Sequence, residues 1–573
     1  MRLSYLPLST ALILIIILSL SPLSPLKGAS ADTLRMIQSP LVNIPVIALP
    51  GDSISVDIFL PEAEQLVFVS LLQDEREIEL PFRPGPEAPF AGEQRIRAKL
   101  PESMLYGMYD IKIYSSGNPG TDLSENALYV IPSYKEKYTF IHITDTHLPS
   151  HKFWDDYGVE NDSSEMDDFR EVIRDINLIN PAFVLHTGDL INDGELEALG
   201  IPAISRAKKI LKELEVPVFL VPGNHDLGGW DATPAPDGTA RRFWWKYFGW
   251  HSLNNTAASA VNTQNYAFRY GAHAYIGLES YVNYDRWRED IYGYQGFTSA
   301  QLQWLNSTVD AHSDADLKVL FYHYDFEDQL DLQVLGVDAA FWGHVHYNSG
   351  NTSAKPLNLS TGAVCDGRRW YRIVKVEDNS ITQTWSIQAG EQGEILNEVY
   401  SADALSVTLA NNSVMDFEDC RVKFPLPQGK RLLSLENAEL YQIDSLSIPK
   451  MVYARTNLPA NSQVTVSMEI EDIPETSLSP RIPLSPEIRH FPNPFNPRLQ
   501  IRIGLPADMH IRTEITDLQG RSVALLNKGW LPAGTHTLIW DAADFPSGIY
   551  LLRTEAAQAG YRQIFMEKCL LIK

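Results

Sequence analysis

The chain has 573 residues, more than one hydrophobic core normally organises, so we expect roughly three to four domains. Its 44% hydrophobic and 21% charged residues are typical of globular proteins and argue against an intrinsically disordered chain. The formal net charge of −25 comes without a basic run, which disfavours a surface that binds nucleic acid through its phosphates. An anionic ligand would therefore have to be attracted by a local positive site.

Residues 1–31 have the features of a secretory signal peptide. Arg2 precedes an apolar run from Ala11 to Leu20, which is too short to span a bilayer but long enough for the core of such a peptide. Ala29-Ser30-Ala31 matches a cleavage site between small residues, so we expect the mature chain to begin at Asp32. We predict an exported protein with no transmembrane helix in its mature form.

The cysteines do not form a disulfide framework. There are three, Cys365, Cys420 and Cys569, in different regions and without the spacing of a zinc finger. We expect each to be a buried free thiol.

Residues 32–133 show short alternating runs broken by proline and glycine, as in Ser53–Phe59 and Met108–Tyr114. A period of two with frequent turn residues predicts a small antiparallel β-sandwich.

From residue 134 to 376, predicted strands alternate with predicted helices. Tyr138–Ile143 is an apolar strand, and apolar residues from Met166 to Ile179 recur at helical spacing behind a possible N-cap at Ser164. A second helix is predicted over roughly Glu195–Leu214. Further apolar strands are predicted at Phe183–Leu185, Val218–Val221, Lys318–Tyr322 and Ala339–Trp342.

Five short segments of this region carry the side chains that two adjacent divalent cations require. They are Asp145-Thr-His147, Gly188-Asp189, Gly223-Asn224-His225-Asp226, His323 and Gly343-His344-Val-His346. Each alone can arise by chance, but together they supply carboxylates, imidazoles and one neutral amide oxygen. Each follows the carboxyl end of an apolar strand, and in open α/β sheets the loops at that edge converge on one crevice.

With these motifs, residues 134–376 resemble the calcineurin-like metallophosphoesterase superfamily. The resemblance implies a four-layer αββα sandwich in which Asp189 bridges two cations. It assigns Asp145, His147 and His346 to the first ion, and Asn224, His323 and His344 to the second. It also implies in-line attack on a phosphoryl group by a hydroxide that the two cations share.

The resemblance gives His225 the role of general acid or phosphate-binding cation, with Asp226 orienting its ring. Imidazole-rich ligands favour Mn, Fe or Zn over Mg. Purple acid phosphatases carry an iron-binding tyrosine three positions after the bridging aspartate, where this chain has Asn192, so an iron–tyrosinate centre is not expected.

Other polar and aromatic residues of the region lack such a context. We predict structural roles for five other histidines, His142, His186, His251, His273 and His312. Arg368 and Arg369 either reach a bound phosphate or form a solvated pair. The aromatic residues between Gly228 and Ser299 either pack within the domain or stack on a substrate.

Three further segments follow: a β-rich domain at 377–472, a proline-rich linker at 473–487 and a β domain at 488–573. The last contains Phe491-Pro-Asn493-Pro-Phe-Asn496-Pro497 and Thr516–Arg521. It resembles the type A sorting domain of type IX secretion substrates and the related flagellar-hook-type immunoglobulin-like module. The resemblance implies the secretion machinery as a partner, and a location outside the cell or on the outer surface of a Gram-negative-type bacterium.

We therefore predict a multidomain protein with a central α/β domain flanked by all-β sandwich domains. Its expected function is a secreted or cell-surface phosphoesterase that uses two divalent metal ions on a phosphomonoester or phosphodiester. The alternative is a cell-surface binding or adhesion protein that retains a catalytically silent scaffold. The complete ligand set favours the enzyme, while the identity of the phosphate ester stays open.

Overall fold

The computed structural model describes residues 36–573 with internal gaps. The gaps are 61–63, 74–75, 89–91, 117–120, 149–164, 193–196, 228–243, 245, 251–262, 280–295, 298, 391–393, 446, 448, 474–482, 484 and 559–560. The predicted signal peptide and most of the predicted linker lie outside the described residues. Among the helices that the structure describes, none has the length and apolar character of a membrane span.

The first described region, residues 36–131, is built from two sheets around one core. Its strands are β1 Ile37–Ser39, β2 Val46–Ala48, β3 Ser53–Ile58, β4 Leu66–Gln73, β5 Arg76–Leu80, β6 Phe82–Pro84, β7 Gln94–Lys99, β8 Gly107–Ser115 and β9 Thr121–Val130. The sheet orders are β1-β3-β7-β6 and β2-β9-β8-β4-β5. Both sheets supply apolar residues to one core, for example Val56 from β3 and Ile111 from β8.

The α/β region follows. Its elements are β10 Tyr138–Ile143, α1 Glu165–Ile179, β11 Val184–His186, α2 Glu197–Leu211, β12 Val218–Leu220, α3 Asn224–Leu227, β13 Tyr266–Tyr270, β14 His273–Gly277, α4 Ser299–Ala311, β15 Leu317–Phe321, α5 Leu332–Leu335, β16 Ala339–Trp342, β17 Leu357–Ser360, β18 Trp370–Glu377 and β19 Ser380–Gln388. The predicted strands and both predicted helices are confirmed to within a few residues.

Two five-stranded sheets of this region pack on each other. Their orders are β12-β11-β10-β18-β19 and β13-β14-β15-β16-β17. Strands β10 to β12 run parallel, as do β14 to β17. Aromatic rings join the sheets: Phe219 stacks on Phe268 at 3.4 Å between ring centroids, and Phe140 meets Phe341 edge-on at 5.6 Å. Strands buried on both faces need continuous apolar runs, which explains why these strands stand out in the sequence.

Helix α1 forms because its apolar residues recur on one face. Phe169, Val172, Ile173 and Ile176 are fully or almost fully buried, and acidic residues occupy the first turn, where they favour the helix dipole. The N-cap predicted at Ser164 lies outside the described residues. The buried face fixes the helix beside the sheet and near the loop after β17.

The α/β sheet continues past the predicted boundary at residue 376. Strand β19 pairs antiparallel with β18, with Tyr371 opposite Ile387. Asp378 and Asn379 both have positive φ, the backbone geometry of a tight two-residue hairpin turn. The return of β character after Val376 therefore marks a hairpin of the same sheet and not a new domain.

Residues 396–472 form two smaller sheets. Their strands are β20 Leu396–Tyr400, β21 Ser406–Asn411, β22 Phe417–Leu426, β23 Lys430–Glu436, β24 Glu439–Asp444, β25 Lys450–Leu458 and β26 Ser462–Asp472. The orders are β20-β21-β26-β23 and β22-β25-β24. Buried residues such as Val422 and Val452 belong to the same hydrophobic core as the α/β region.

The C-terminal region is strand-rich, as predicted, and has its own core around Trp540. Its strands are β27 Glu487–Phe491, β28 Arg498–Leu505, β29 Met509–Thr516, β30 Ser522–Leu531, β31 Gly534–Asp541, β32 Gly548–Gln558 and β33 Tyr561–Leu571. The orders are β27-β28-β31 and β30-β29-β32-β33. The four-layer αββα arrangement and the sandwich form of the flanking domains stay predictions.

Candidate metal centre

The seven predicted ligands lie at the carboxyl ends of strands from both α/β sheets. Asp145 and His147 follow β10, Asp189 follows β11, and α3 begins at Asn224 just after β12. From the other sheet, His323 follows β15, and His344 and His346 follow β16. Because the sheets pack face to face, these two sets of loops meet at one edge.

The backbone of the ligand loops is strained. Five non-glycine residues have φ between 45° and 65°: Asp145, His147, Asp189, His344 and His346. Such residues occupy the left-handed region at a free-energy cost and persist where the surroundings hold them. Strain at five candidate ligands indicates that the fold positions these side chains for a purpose other than stability.

One cluster gathers Asp145, His147 and His346. The two imidazole Nε2 atoms are 3.1 Å apart. Oδ1 of Asp145 lies 3.4 Å from Nε2 of His346 and 3.7 Å from Nε2 of His147. This oxygen is buried and makes no hydrogen bond to any described residue. Ligand atoms about 2.1 Å from one ion lie about 3.0 to 3.4 Å apart, so the cluster fits a single transition-metal cation.

A second cluster gathers Asp189, Asn224, His323 and His344. Nε2 of His323 lies 3.1 Å from Oδ2 of Asp189 and 3.1 Å from Oδ1 of Asn224. Asp189, His323 and His344 offer ligand atoms within 4.8 Å of one another. The Nδ1–H of His323 donates to the carbonyl of Thr187 at 2.7 Å, which leaves Nε2 directed at the cluster.

Asp189 belongs to both clusters. Its Oδ2 lies 3.1 Å from His323 and 3.7 Å from Nε2 of His147 in the first cluster. Its Oδ1 accepts the backbone N–H of His225 at 2.8 Å. One carboxylate thus faces both sets of imidazoles, which is the position that a bridging ligand needs.

Buried charges compensate each other in this site. Burial would raise the pKa values of Asp145 and Asp189, but the histidines beside them hold both pKa values below their ordinary range. Burial would lower the pKa values of His147 and His323, yet the adjacent carboxylates raise each to about 9. Bound cations would replace these protons and take over the charge compensation.

The pKa values of His344 and His225 are lowered instead. Burial, together with the charge of His323, lowers the pKa of His344 to about 4. Burial also lowers the pKa of His225, although Asp189 opposes the shift. A neutral imidazole is the form that binds a metal or accepts a proton.

Asp226 contacts the backbone of two neighbouring loops, and its role of orienting His225 stays a prediction. Its carboxylate accepts backbone N–H groups from Leu190, Ile191 and Gly223 at 2.9 to 3.2 Å. It therefore joins the loop of Asp189 to the loop of Asn224. Burial and the charge of Asp189 raise its pKa to about 7 in spite of these three donors.

Asn192 contacts the rings of both His147 and His225, which the sequence did not suggest. Its carbonyl oxygen lies 2.8 Å from Nδ1 of His225, and its side-chain oxygen lies 3.2 Å from Nδ1 of His147. With both Nδ1 atoms donating, the Nε2 atom of each neutral ring carries the lone pair that can accept a proton or bind a cation. The sequence signal for Asn192 was its position, three residues after Asp189.

Close packing also fixes Asp145. The hydroxyl of Thr144 and the backbone N–H of His344 donate to its Oδ2 at 2.8 and 2.9 Å. A Cβ at Gly343 would lie 1.8 Å from Oγ1 of Thr144, so only glycine fits there.

The remaining predictions for this region have mixed outcomes. His142 is fully buried between two hydroxyl groups, and His186 is fully buried between the hydroxyl of Thr146 and the backbone N–H of Gly188. Burial lowers both pKa values, in line with structural roles. His273 is also buried, whereas His251 lies outside the described residues. Arg369 pairs with Asp168 at 2.9 Å, and the exposed Arg368 donates to the carbonyl of His346 at 2.9 Å. Arg369 is therefore held in an internal ion pair, whereas Arg368 lies at the rim of the site.

The aromatic stretch is described only in part. Trp244 and Phe248 are fully buried, and Tyr247 and Trp250 pack against the core. These four favour the packing interpretation. Phe243, Trp245, Tyr281, Tyr284 and Trp287 lie outside the described residues.

Comparisons with known proteins agree with these motifs. Residues 138–348 match the family model of the calcineurin-like phosphoesterases. The DNA double-strand break repair protein Mre11 of Methanococcus maripaludis is 24% identical over 227 residues, 38% of this chain and 53% of that protein. The chain thus spans about half the length of this curated relative.

Two solved structures are also similar. A purple acid phosphatase from yellow lupin (Lupinus luteus) seeds has a TM-score of 0.34 and 14% identity, over 63% of this chain and 69% of that chain. The NAD nucleotidase of Haemophilus influenzae has a TM-score of 0.27 and 14% identity, over 44% of this chain and 49% of that chain.

A second family model matches the C-terminal region. Residues 489–566 match the secretion system C-terminal sorting domain, which indicates export to the cell surface or beyond it. The first match indicates a phosphoester hydrolase of a family that typically binds two metals, and the clusters described above could hold them. The chain therefore carries a calcineurin-like phosphoesterase domain at residues 138–348 and a secretion system C-terminal sorting domain at residues 489–566.

Proposed function

We propose that this protein is an exported phosphoesterase that hydrolyses a phosphomonoester or phosphodiester at a dinuclear metal centre. The observation that carries the proposal is the sharing of Asp189 between two ligand clusters. Asp145, His147 and His346 would hold one ion, and Asn224, His323 and His344 the other. Bound divalent cations would supply an activated water molecule and neutralise charge on the phosphoryl group.

His225 is the proposed proton donor or phosphate-binding residue. Its backbone N–H is tied to Asp189 and its Nδ1 to the carbonyl of Asn192, so the ring is held beside both clusters. The ring packs edge-on against His147 with 4.6 Å between centroids. When protonated, Nε2 can donate to a leaving alkoxide or to a phosphate oxygen.

Asp226 acts through the backbone in this proposal. By accepting three N–H groups it holds the loops of Asp189 and Asn224 at a fixed separation. Exposed Arg368 donates to the carbonyl of His346, and we propose that this cation meets an anionic substrate at the rim of the site.

The flanking regions would serve export and presentation. We infer that residues 1–31 are a signal peptide, that residues 32–133 and 396–472 are β domains packed beside the enzyme, and that 473–487 links them to the sorting domain at 488–573. Fractionation of cells that express the chain with and without residues 489–573 tests the export route. Equal amounts outside the cell in both cases would contradict it.

The test of the activity is hydrolysis of p-nitrophenyl phosphate and bis-p-nitrophenyl phosphate with added Mn²⁺ or Zn²⁺. Asn224→Ala and His225→Ala should each lower kcat by about 100-fold or more, since each removes a ligand or proton-transfer group. His312→Ala, in the same domain but outside the site, is the matched control. The preferred ester distinguishes a monoesterase from a diesterase.

Metal binding without turnover would instead support the alternative, a surface-binding protein with a silent scaffold. The Mre11 relative is named for DNA repair, so a DNA oligonucleotide belongs among the diester probes. The net charge of −25 leads us to expect little cleavage of it.

A further inference from the structure

Cys365 lies beside the first cluster, in the loop between β17 and β18. Its backbone N–H donates to the carbonyl of Asp145 at 3.1 Å, and that of Val364 donates to the carbonyl of Thr144 at 3.2 Å. The loop is fastened from the other side by Asp168, which accepts the N–H of Gly367 at 2.7 Å. The thiol is therefore held against the loop that carries the first candidate ligands.

The thiol converges with two imidazoles. Sγ of Cys365 and one nitrogen each of His147 and His346 lie within 4.8 Å of one another. Neighbouring thiolate and imidazole ligands of one ion are about 3.1 to 3.5 Å apart, so a movement of roughly one to two ångström would complete the site. Side-chain rotation can provide such a movement without a change of the backbone.

A second observation at the same place indicates a cation. Oδ1 of Asp145 is fully buried, lacks a hydrogen bond to any described residue and lies 3.4 Å from Nε2 of His346. A buried carboxylate oxygen without a hydrogen-bond partner destabilises the folded protein, and a bound cation would offset this cost.

We propose that Cys365 is an additional ligand of the first metal ion, beside Asp145, His147, His346 and the bridging Asp189. This inference rests on the proposed dinuclear function and specifies the chemistry of one of its two ions. On binding, the S–H bond breaks, the sulfur bonds to the cation, and the proton passes to solvent. A thiolate favours softer cations, so Zn²⁺, Co²⁺ and Cd²⁺ should bind the first site in preference to Mg²⁺ and Mn²⁺.

The test is the absorption spectrum of the full chain loaded with Co²⁺, because a cobalt–thiolate bond produces a charge-transfer band in the near ultraviolet. Cys420 and Cys569 are likewise buried and free, which makes Cys420→Ala and Cys569→Ala matched controls. We expect the band in the unaltered protein and in both controls, and its loss in Cys365→Ala. Affinity for Co²⁺ at one site should fall by about 10- to 100-fold in Cys365→Ala.

A double variant keeps the proposal testable if Cys365→Ala fails to fold. With Cys420 and Cys569 both replaced by alanine, Cys365 is the one remaining thiol of the three in the chain, and the band must persist. Two bound cobalt ions without the band would overturn the role of Cys365 and leave the dinuclear function standing. Failure to bind cobalt at all would overturn both proposals.

Discussion

At the scale of single residues, Asn192 contributes to the site in two ways that are separable. Its side chain accepts from Nδ1 of His147, whereas its backbone carbonyl accepts from Nδ1 of His225. Replacing the side chain therefore disturbs a candidate metal ligand and leaves the contact of the proposed proton donor in place.

Asn192→Ala should weaken the binding of one metal ion by about 10- to 100-fold, since partners that orient ligands typically contribute that much. Activity at saturating metal should stay within a few-fold of that of the unaltered protein, because His225 keeps its backbone contact. The measurement is metal affinity by competition with a chelator, alongside kcat at saturating metal. Asn306→Ala, which changes an exposed residue of α4, is the control. Unchanged metal affinity in Asn192→Ala would contradict the assigned contact.

At the scale of elements, the loops that follow β10 and β16 are closely packed against each other. Gly343 follows β16, and a Cβ there would lie 1.8 Å from Oγ1 of Thr144 and 2.6 Å from Oδ2 of Asp145. The loop after β10 therefore cannot keep its position if this residue gains a side chain.

Gly343→Ala should displace Asp145, abolish binding at the first metal site and destabilise the domain by about 1 to 3 kcal/mol, the usual cost of overpacking. Metal content by mass spectrometry and thermal unfolding provide the two readouts. In Gly529→Ala the added Cβ meets no atom within 4 Å, so that variant should retain both properties. Full metal content in Gly343→Ala would show that the loop adapts.

Helix α1 carries a second element-scale feature, the buried Asp175. Burial raises its pKa to about 7, although it pairs with Arg174 at 3.0 Å and accepts from Tyr371 on β18 at 3.1 Å. The folded protein thus holds a proton on Asp175 more tightly than the unfolded chain does. Stability from this group is present below about pH 4 and is lost as the pH rises to about 7.

Asp175→Asn removes this dependence. The stability of the variant minus that of the unaltered protein should increase between about pH 4 and pH 7 by a few kcal/mol and then stay constant. Unfolding by denaturant at several pH values measures the difference, in which the other titrating groups cancel. Asp167→Asn, exposed on the same helix, should show no such trend, and a flat difference for Asp175→Asn would refute the account.

At the scale of the whole molecule, Arg421 on β22 joins three regions. It is buried, forms an ion pair with Glu215 of the α/β region at 3.0 Å, and donates to the hydroxyl of Tyr129 on β9 at 3.2 Å. It also donates to the side chain of Asn180, just after α1. Together with the shared hydrophobic core, this contact joins the β domain at 396–472 to the phosphoesterase domain.

Arg421→Ala should lower the free energy of unfolding by about 2 kcal/mol or more, because it leaves Glu215 with Lys423 alone and removes the donor to Tyr129 and Asn180. Thermal unfolding followed by circular dichroism measures the loss. Arg170→Ala removes an exposed ion pair with Glu213 and should change stability by less than about 1 kcal/mol. Equal effects of the two substitutions would mean that Arg421 does not join the regions.

The extent of the α/β sheet could not be predicted from the sequence pattern alone. Strand β19 has the alternating pattern of any antiparallel strand, and only its pairing with β18 assigns it to the sheet of the metal centre. The turn residues Asp378 and Asn379 were the available local signal, since both tolerate positive φ.

The sequence alone indicated the candidate metal ligands and their positions at strand ends, because an apolar strand and the polar residue that ends it are neighbours in the chain. It likewise determined the presence of the sorting domain. Only the tertiary structure decided which groups meet: Asn192 with His147 and His225, Asp226 with three backbone amides, and Cys365 with His147 and His346. Contacts between distant loops leave no periodicity in the sequence, since they depend on how two sheets pack.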